Sequence, residues 1–180
     1  RQCVRWGSSQ QRREAVPLLL SLLEGQQLWQ EAEAVARTFV EEQQQNGSQD
    51  EVVRHVMVRL SVALVHLGNM EEGLEWAQHS YSLWLQDTKS SRNSTHFLGC
   101  IHQLAYLLCK SGRHNEAVPL WRALWKSHLR GCESGEPLEG GEEKELQILH
   151  SLVSSLLVSS SWHEAAKLGR LCWQRRQVLL

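Results

Sequence analysis

Apolar residues return along this chain in steps of three and four, the spacing that lines one face of a helix. The pattern restarts four times. Four short strings mark the restarts: Leu28-Trp29-Gln30-Glu31-Ala32, Asn69-Met70-Glu71-Glu72-Gly73, Arg113-His114-Asn115-Glu116-Ala117 and Ser161-Trp162-His163-Glu164-Ala165. Each ends in Glu followed by a small residue, and the small residues lie 41, 44 and 48 positions apart. With them in register, Leu19, Leu60, Leu104 and Leu152 stand thirteen positions upstream, and Leu23, Leu64, Leu108 and Leu156 nine upstream. Val16, Met57, Ile101 and Leu149 stand sixteen upstream; Val35, Trp76, Leu120 and Leu168 stand three downstream. The upstream offsets differ by three and four, so each set shares a helix face. The unit is a helix, a tight turn and a second helix, repeated four times.

The expected helices are 9–24, 28–45, 50–67, 70–87, 94–110, 114–130, 142–159 and 162–178. Gly25, Gly68-Asn69, Ser111-Gly112 and Ser159-Ser160-Ser161 punctuate the turns within units. Asp50 and Asn93 are expected N-caps. Gln45–Gln49 and Asp87–Arg92 read as polar connectors, and 131–141 as an acidic, glycine-rich loop. The repeats thus span about 9–45, 50–87, 94–130 and 142–178, forming a single domain over 9–178. The small residue after each Glu lets paired helices approach closely beside the turn, with the leucine columns filling the space around it.

These residues resemble the tetratricopeptide repeat (TPR). Leu104, Leu108, Gly112 and Glu116-Ala117 match that family's motif best, followed by Leu60, Leu64, Gly68 and Gly73. The resemblance covers about residues 9–178. It departs in having longer units, no proline ending the second helices, and an only partly small set, Leu20, Ser61, Ala105 and Val153, where the family prefers a small residue. Units of about 42 residues resemble the kinesin-light-chain subgroup, although its first-helix Asn is missing. The resemblance implies an all-α, right-handed superhelical solenoid of about eight helices, of an extended-helix type, in which first helices line the concave side.

On that resemblance the groove positions are Glu14, Ser21, His55, Val58, Val62, His66, His102, Tyr106, Lys110, His150 and Ser154. Such a lining suits an amphipathic peptide or helix. The same positions also suit packing between neighbouring first helices, Val58 and Val62 above all. Of the family's carboxylate clamp only Lys110 is present, which argues against a chaperone-tail ligand. His102 and His150 share a repeat position, with His55 one turn earlier. Either they are ordinary polar groove residues or their protonation near pH 6.5 tunes binding.

Composition narrows the function. Hydrophobic residues make up 42% and charged residues 22%, a globular mixture. The net charge of −1 argues against a dedicated nucleic-acid binder. No apolar run reaches the roughly 18 residues of a membrane span. Five cysteines without C-x-x-C spacing read as free thiols, not as a disulfide or zinc framework, and place the chain in the cytoplasm. No hydrolase elbow, P-loop or zinc-protease motif occurs, so no enzymatic activity, cofactor or metal is expected. Cys100 and His102 are two apart, about 200° around a helix, a poor catalytic pair. Most of the eight tryptophans read as core of the second helices, or else as a convex aromatic patch. Arg122, Lys126 and Arg130 form either a solvated face or a seat for an acidic segment. The chain opens on Arg1 and reads as a segment of a larger protein. The expected role is a scaffold or adaptor holding a protein partner in the concave groove. The alternative is a structural solenoid that spaces domains or self-associates through its C-terminal helix.

Overall fold

A computed structural model describes residues 9–87, 94–134 and 141–178. Within them lie eight helices and no strand: α1 (Ser9–Gly25), α2 (Trp29–Gln45), α3 (Glu51–His66), α4 (Met70–Gln86), α5 (Thr95–Lys110), α6 (His114–Ser134), α7 (Gly141–Val158) and α8 (Trp162–Val178). The chain divides into two compact units, 1–90 with α1–α4 and 91–180 with α5–α8. Inside each unit every helix packs on its predecessor, and α1 also touches α3.

The helix bounds follow the sequence pattern closely, with three corrections. α6 continues to Ser134, into the segment expected to be loop. The cap of α5 is Ser94, whose Oγ accepts from the Phe97 N–H at 3.2 Å; Asn93 lies outside the described residues. Gly25 is the last residue of α1, and Gln27 makes the turn instead. Asp50 caps α3 as expected, accepting from the Val53 N–H at 3.1 Å.

All four hairpin turns are built alike. Gln27, Gly68, Gly112 and Ser160 take positive φ of 59°, 90°, 74° and 57°. The next residue then donates its N–H back to a carbonyl five positions earlier: Leu28 to Leu23, Asn69 to Leu64, Arg113 to Leu108 and Ser161 to Leu156, at 2.8–2.9 Å. This closes the first helix in the left-handed manner that glycine favours. The acceptors are one of the two leucine columns, so each of these leucines fills the core with its side chain and ends the helix with its carbonyl. The same turn residues open the second helix, their carbonyls accepting from Ala32, Gly73, Ala117 and Ala165 at 3.0–3.2 Å.

The small residues sit where the helices press together. Ala32, Ala117 and Ala165 are at most 2% exposed, and Gly73 is buried. A methyl on Gly73 would lie 2.9 Å from Val65 Cγ2 and 3.0 Å from the Ser61 carbonyl, closer than ordinary carbon contacts. On the first helices, Leu60, Leu104 and Leu152 and all four residues of the other leucine column are buried, while Leu19 is half-buried beside buried Leu20. On the second helices the deepest stripe runs through Ala36, Ala77 and Trp121, one position later than the expected column. Val35, Trp76 and Leu168 of that column are only half-buried. Trp84, Trp121 and Trp125 are buried, whereas Trp162 and Trp173 are exposed.

Charged groups tie neighbouring repeats. The Glu preceding the small residue of one repeat meets an Arg five positions after the small residue of the repeat before it. Arg37 Nη2 lies 2.7 Å from Glu72, and Arg122 Nε lies 2.9 Å from Glu164 in a two-bond fork. Hydrogen bonding from Arg122 holds the Glu164 carboxyl below the usual carboxylate range. The matching position of the second repeat is Gln78, and Glu116 is instead held by Arg113 of its own turn at 2.6 Å. In the first unit, buried Arg54 reaches Asp87 at 2.9 Å and lies 4.1 Å over the Trp84 ring, clasping the end of α4.

Gly73→Ala is expected to destabilise the first unit by about 1–2 kcal/mol: overpacking there outweighs alanine's helix preference of roughly 1 kcal/mol. Urea unfolding followed by circular dichroism checks this; a stabilised variant would mean that the helices do not meet closely at that residue.

Candidate functional site

The first helices of each unit carry the groove positions expected from sequence, and the two units treat them differently. In the first unit, Glu14 is exposed and receives a hydrogen bond from Gln10 at 2.8 Å. Ser21 is exposed but joins α1 to α3: its hydroxyl accepts from Arg59 Nη2 at 2.9 Å and donates to the Pro17 carbonyl at 3.0 Å. Arg59 also grips Glu24 at 2.6 Å. Burial pushes the Glu24 carboxyl up, against the opposing pull of Arg59. His66 stacks flat on Trp29, ring centroids 3.8 Å apart, so its imidazole covers the start of α2. His55 and Val62 are half-buried and Val58 is buried.

In the second unit, Tyr106, Lys110, His150 and Ser154 are exposed. Lys110 Nζ lies 5.5 Å from the Tyr106 ring centroid, a cation–π contact that holds both chains along α5. His102 behaves otherwise. Its ring meets Trp121 edge-on at 5.2 Å, and its Nε2 is buried with no hydrogen-bond partner among the described residues. Burial, and then the nearby Lys144 ammonium, lower its pKa to about 4. His102 is therefore neutral near pH 6.5, which takes it out of the alternative in which it titrates there with His55 and His150.

Beside His102 opens a cleft of about 210 Å3, lined by Thr95, Leu98, Gly99 and His102 from α5, Leu124 from α6, and Lys144 and Ile148 from α7. Its floor is apolar, since Leu98, Leu124 and Ile148 are buried. Gly99 leaves one wall open: a methyl there would meet nothing within 4 Å. Apart from His102, none of these residues stood among the groove positions. Gly99 was the available signal. A glycine inside a helix costs about 1 kcal/mol relative to alanine, and it often marks space kept for something else. Lys144 and Ile148 carried no such mark, because only the packing of α7 on α6 brings them to α5.

Elsewhere the structure assigns expected residues to packing. Arg122, read as a possible seat for an acidic segment, is engaged by Glu164. Cys109 Sγ lies 3.3 Å from Trp121 Nε1, which donates to it, and 3.1 Å from Ser155 Oγ. No group of three or more His, Cys, Asp or Glu among the described residues is placed to hold a metal ion. No helix among them is long and apolar enough to cross a membrane.

No protein-family profile matches the chain, and no curated protein matches it in sequence. Solved structures do match in shape. The nearly identical TPR-like repeats of kinesin-light-chain type from Podosopora anserina superpose with a TM-score of 0.74 at 18% identity, covering 94% of this chain and 77% of that one. BtubC from P. vanneervenii matches with a TM-score of 0.57 at 11% identity, covering 94% and 82%. PlcR of Bacillus thuringiensis, in complex with the peptide PapR7 and DNA, matches with a TM-score of 0.56 at 14% identity, covering 98% and 59%. The fold is thus that of TPR-like helical repeat proteins, as the register of the four strings implied.

The depressed pKa of His102 has a consequence for stability. Between pH 6.5 and about 4 the unfolded chain takes up a proton that the folded chain refuses. Stability contributed by neutral His102 is complete above pH 6.5 and is lost as pH falls toward 4, at up to about 1.4 kcal/mol per pH unit. Urea unfolding at pH 7 and pH 5 is expected to show this slope in the wild type and a smaller one in His102→Leu. Equal slopes would place the imidazole in water.

Proposed function

We propose that this chain is a protein-interaction scaffold that holds a peptide or helix of a partner protein against its first helices. The observation that carries the reading is the face of α5. Gly99, His102, Tyr106 and Lys110 follow one another at helical spacing, from an open cleft to an exposed aromatic–cation pair. A half-exposed tyrosine beside a lysine offers both apolar contact and a charged hydrogen bond, the mixture that anchors partner segments. His150 and Ser154 extend this surface on α7. Glu14, His55, Val62 and the exposed edges of Ser21 and His66 are the counterparts in the first unit. A shape neighbour that holds a peptide supports the reading, as do Cys109 and Cys172, thiols outside any disulfide, which suit an adaptor working in the cytoplasm.

Photo-crosslinking in cell extract tests it. Benzoylphenylalanine at position 106 is expected to give discrete adducts, and at position 126, on the second helix, to give none; the reverse pattern would overturn the assignment. Both native residues are exposed, so neither replacement should disturb the fold.

A second reading, self-association through the last hairpin, is favoured by Trp162 and Trp173, each 63% exposed, with Leu157 and Val158 also exposed nearby. Eleven residues apart, the two tryptophans fall on nearly one face of α8. Sedimentation equilibrium decides this: the reading expects a dimer that Trp162→Gln with Trp173→Gln dissolves, and a wild-type monomer at about 100 µM, far above a typical micromolar affinity, would end it.

A further inference from the structure

The cleft between α5, α6 and α7 has a definite chemical character. Its floor of Leu98, Leu124 and Ile148 is apolar, and the neutral ring of His102 adds no charge. At about 210 Å3 it is smaller than the roughly 300–1,000 Å3 of sites that enclose a whole cofactor or drug-sized molecule, but it can accept one inserted side chain. Gly99 keeps the wall open, and no neighbour's packing requires a glycine there.

Lys144 sets the charge. It is half-buried at the cleft, close enough to His102 for its field to be felt there, and has no carboxylate partner among the described residues. The neighbouring carboxylates whose side chains are described, Glu143 and Glu145, do not supply one. Glu145 is buried, 3.4 Å from His128 Nε2 and 3.4 Å from Arg175 Nε on α8. Glu143 is exposed, one residue away and about 100° around the helix. A partly desolvated ammonium above an apolar floor favours an occupant that brings its own negative charge.

We propose that this cleft seats an aliphatic side chain of an acidic peptide segment, with the segment's adjacent carboxylate pairing with Lys144. The proposal rests on the reading that the first helices hold a partner peptide, and it names the chemistry of one anchor point. The alkyl group displaces water from between Leu98, Leu124 and Ile148. The carboxylate neutralises Lys144 at the rim. The rest of the segment runs along α5 toward Tyr106 and Lys110.

A phage-displayed library of random nine-residue peptides, selected on the full chain, tests this. The expected consensus is Leu, Ile, Val or Met next to Asp or Glu. Gly99→Leu fills the cleft at a position where a side chain meets no neighbour, and leucine is the better helix former, so circular dichroism should show an intact fold. It should weaken the selected peptide at least roughly tenfold, and Lys144→Met should weaken it by about tenfold while leaving the aliphatic preference. A consensus without the aliphatic–acidic pair, no consensus at all, or full affinity in Gly99→Leu would overturn the proposal. If adducts from position 106 persist in that case, the scaffold reading stands and the cleft assignment alone falls.

Discussion

The close approach of two helices beside each turn is the constraint on which the rest of this structure depends. A helix hairpin can pinch its backbones together only where one side chain is a methyl or less. Ala32, Ala117 and Ala165 meet that limit, and Gly73 goes below it, because Val65 and the Ser61 carbonyl leave no space for a methyl. The turn enforces the geometry from the other side. Its left-handed residue lets the leucine carbonyl close the first helix, and the residue after it opens the second. Gln27 and Ser160 take this conformation without being glycine, at a local cost of about 1–3 kcal/mol that the packing must offset. The leucine columns therefore stay aligned from repeat to repeat: each helix starts and stops at a fixed distance from the pinch.

Electrostatics then distribute the polar side chains. Arg37–Glu72 and Arg122–Glu164 link second helices of successive repeats, while Arg59–Glu24, with Ser21, links first helices. The half-exposed pairs Arg37–Glu72 and Arg122–Glu164 contribute little stability each, but they fix the register of one hairpin against the next. They also decide which charges remain for a ligand. Arg122 is committed to the fold, whereas Lys110 rests on Tyr106 in the open and Lys144 stands at the rim of an apolar cleft. Exposed side chains on α5 and α7 are what remain once the internal ties are subtracted.

The fold was largely legible in the sequence because its determinants are local and repeated. Helical spacing, the glycines of two turns and Asp50 as a cap all act within a few residues. The errors came where that local signal was weak: Gln27 replaces a glycine, Ser94 stands one position from the expected cap, and the buried stripe of the second helices is shifted by one residue. The candidate site was less legible. Register placed Tyr106, Lys110, His150 and Ser154 on exposed first-helix surface, but it also selected Ser21 and His66, which contact neighbouring helices, and His102, which is drawn inward against Trp121.

What the sequence determined by itself is the repeating hairpin: four pinch points, two aligned leucine columns and eight helices follow from spacing alone, since helical periodicity is written every three to four residues. What only the tertiary structure decided is which polar side chains are spent on packing and where space is left over. Those depend on partners 30 to 50 residues away, as between Lys144 and His102 or Arg122 and Glu164. Depth of burial, loss of a proton and an open cleft are properties of three helices meeting, and no single helix carries them.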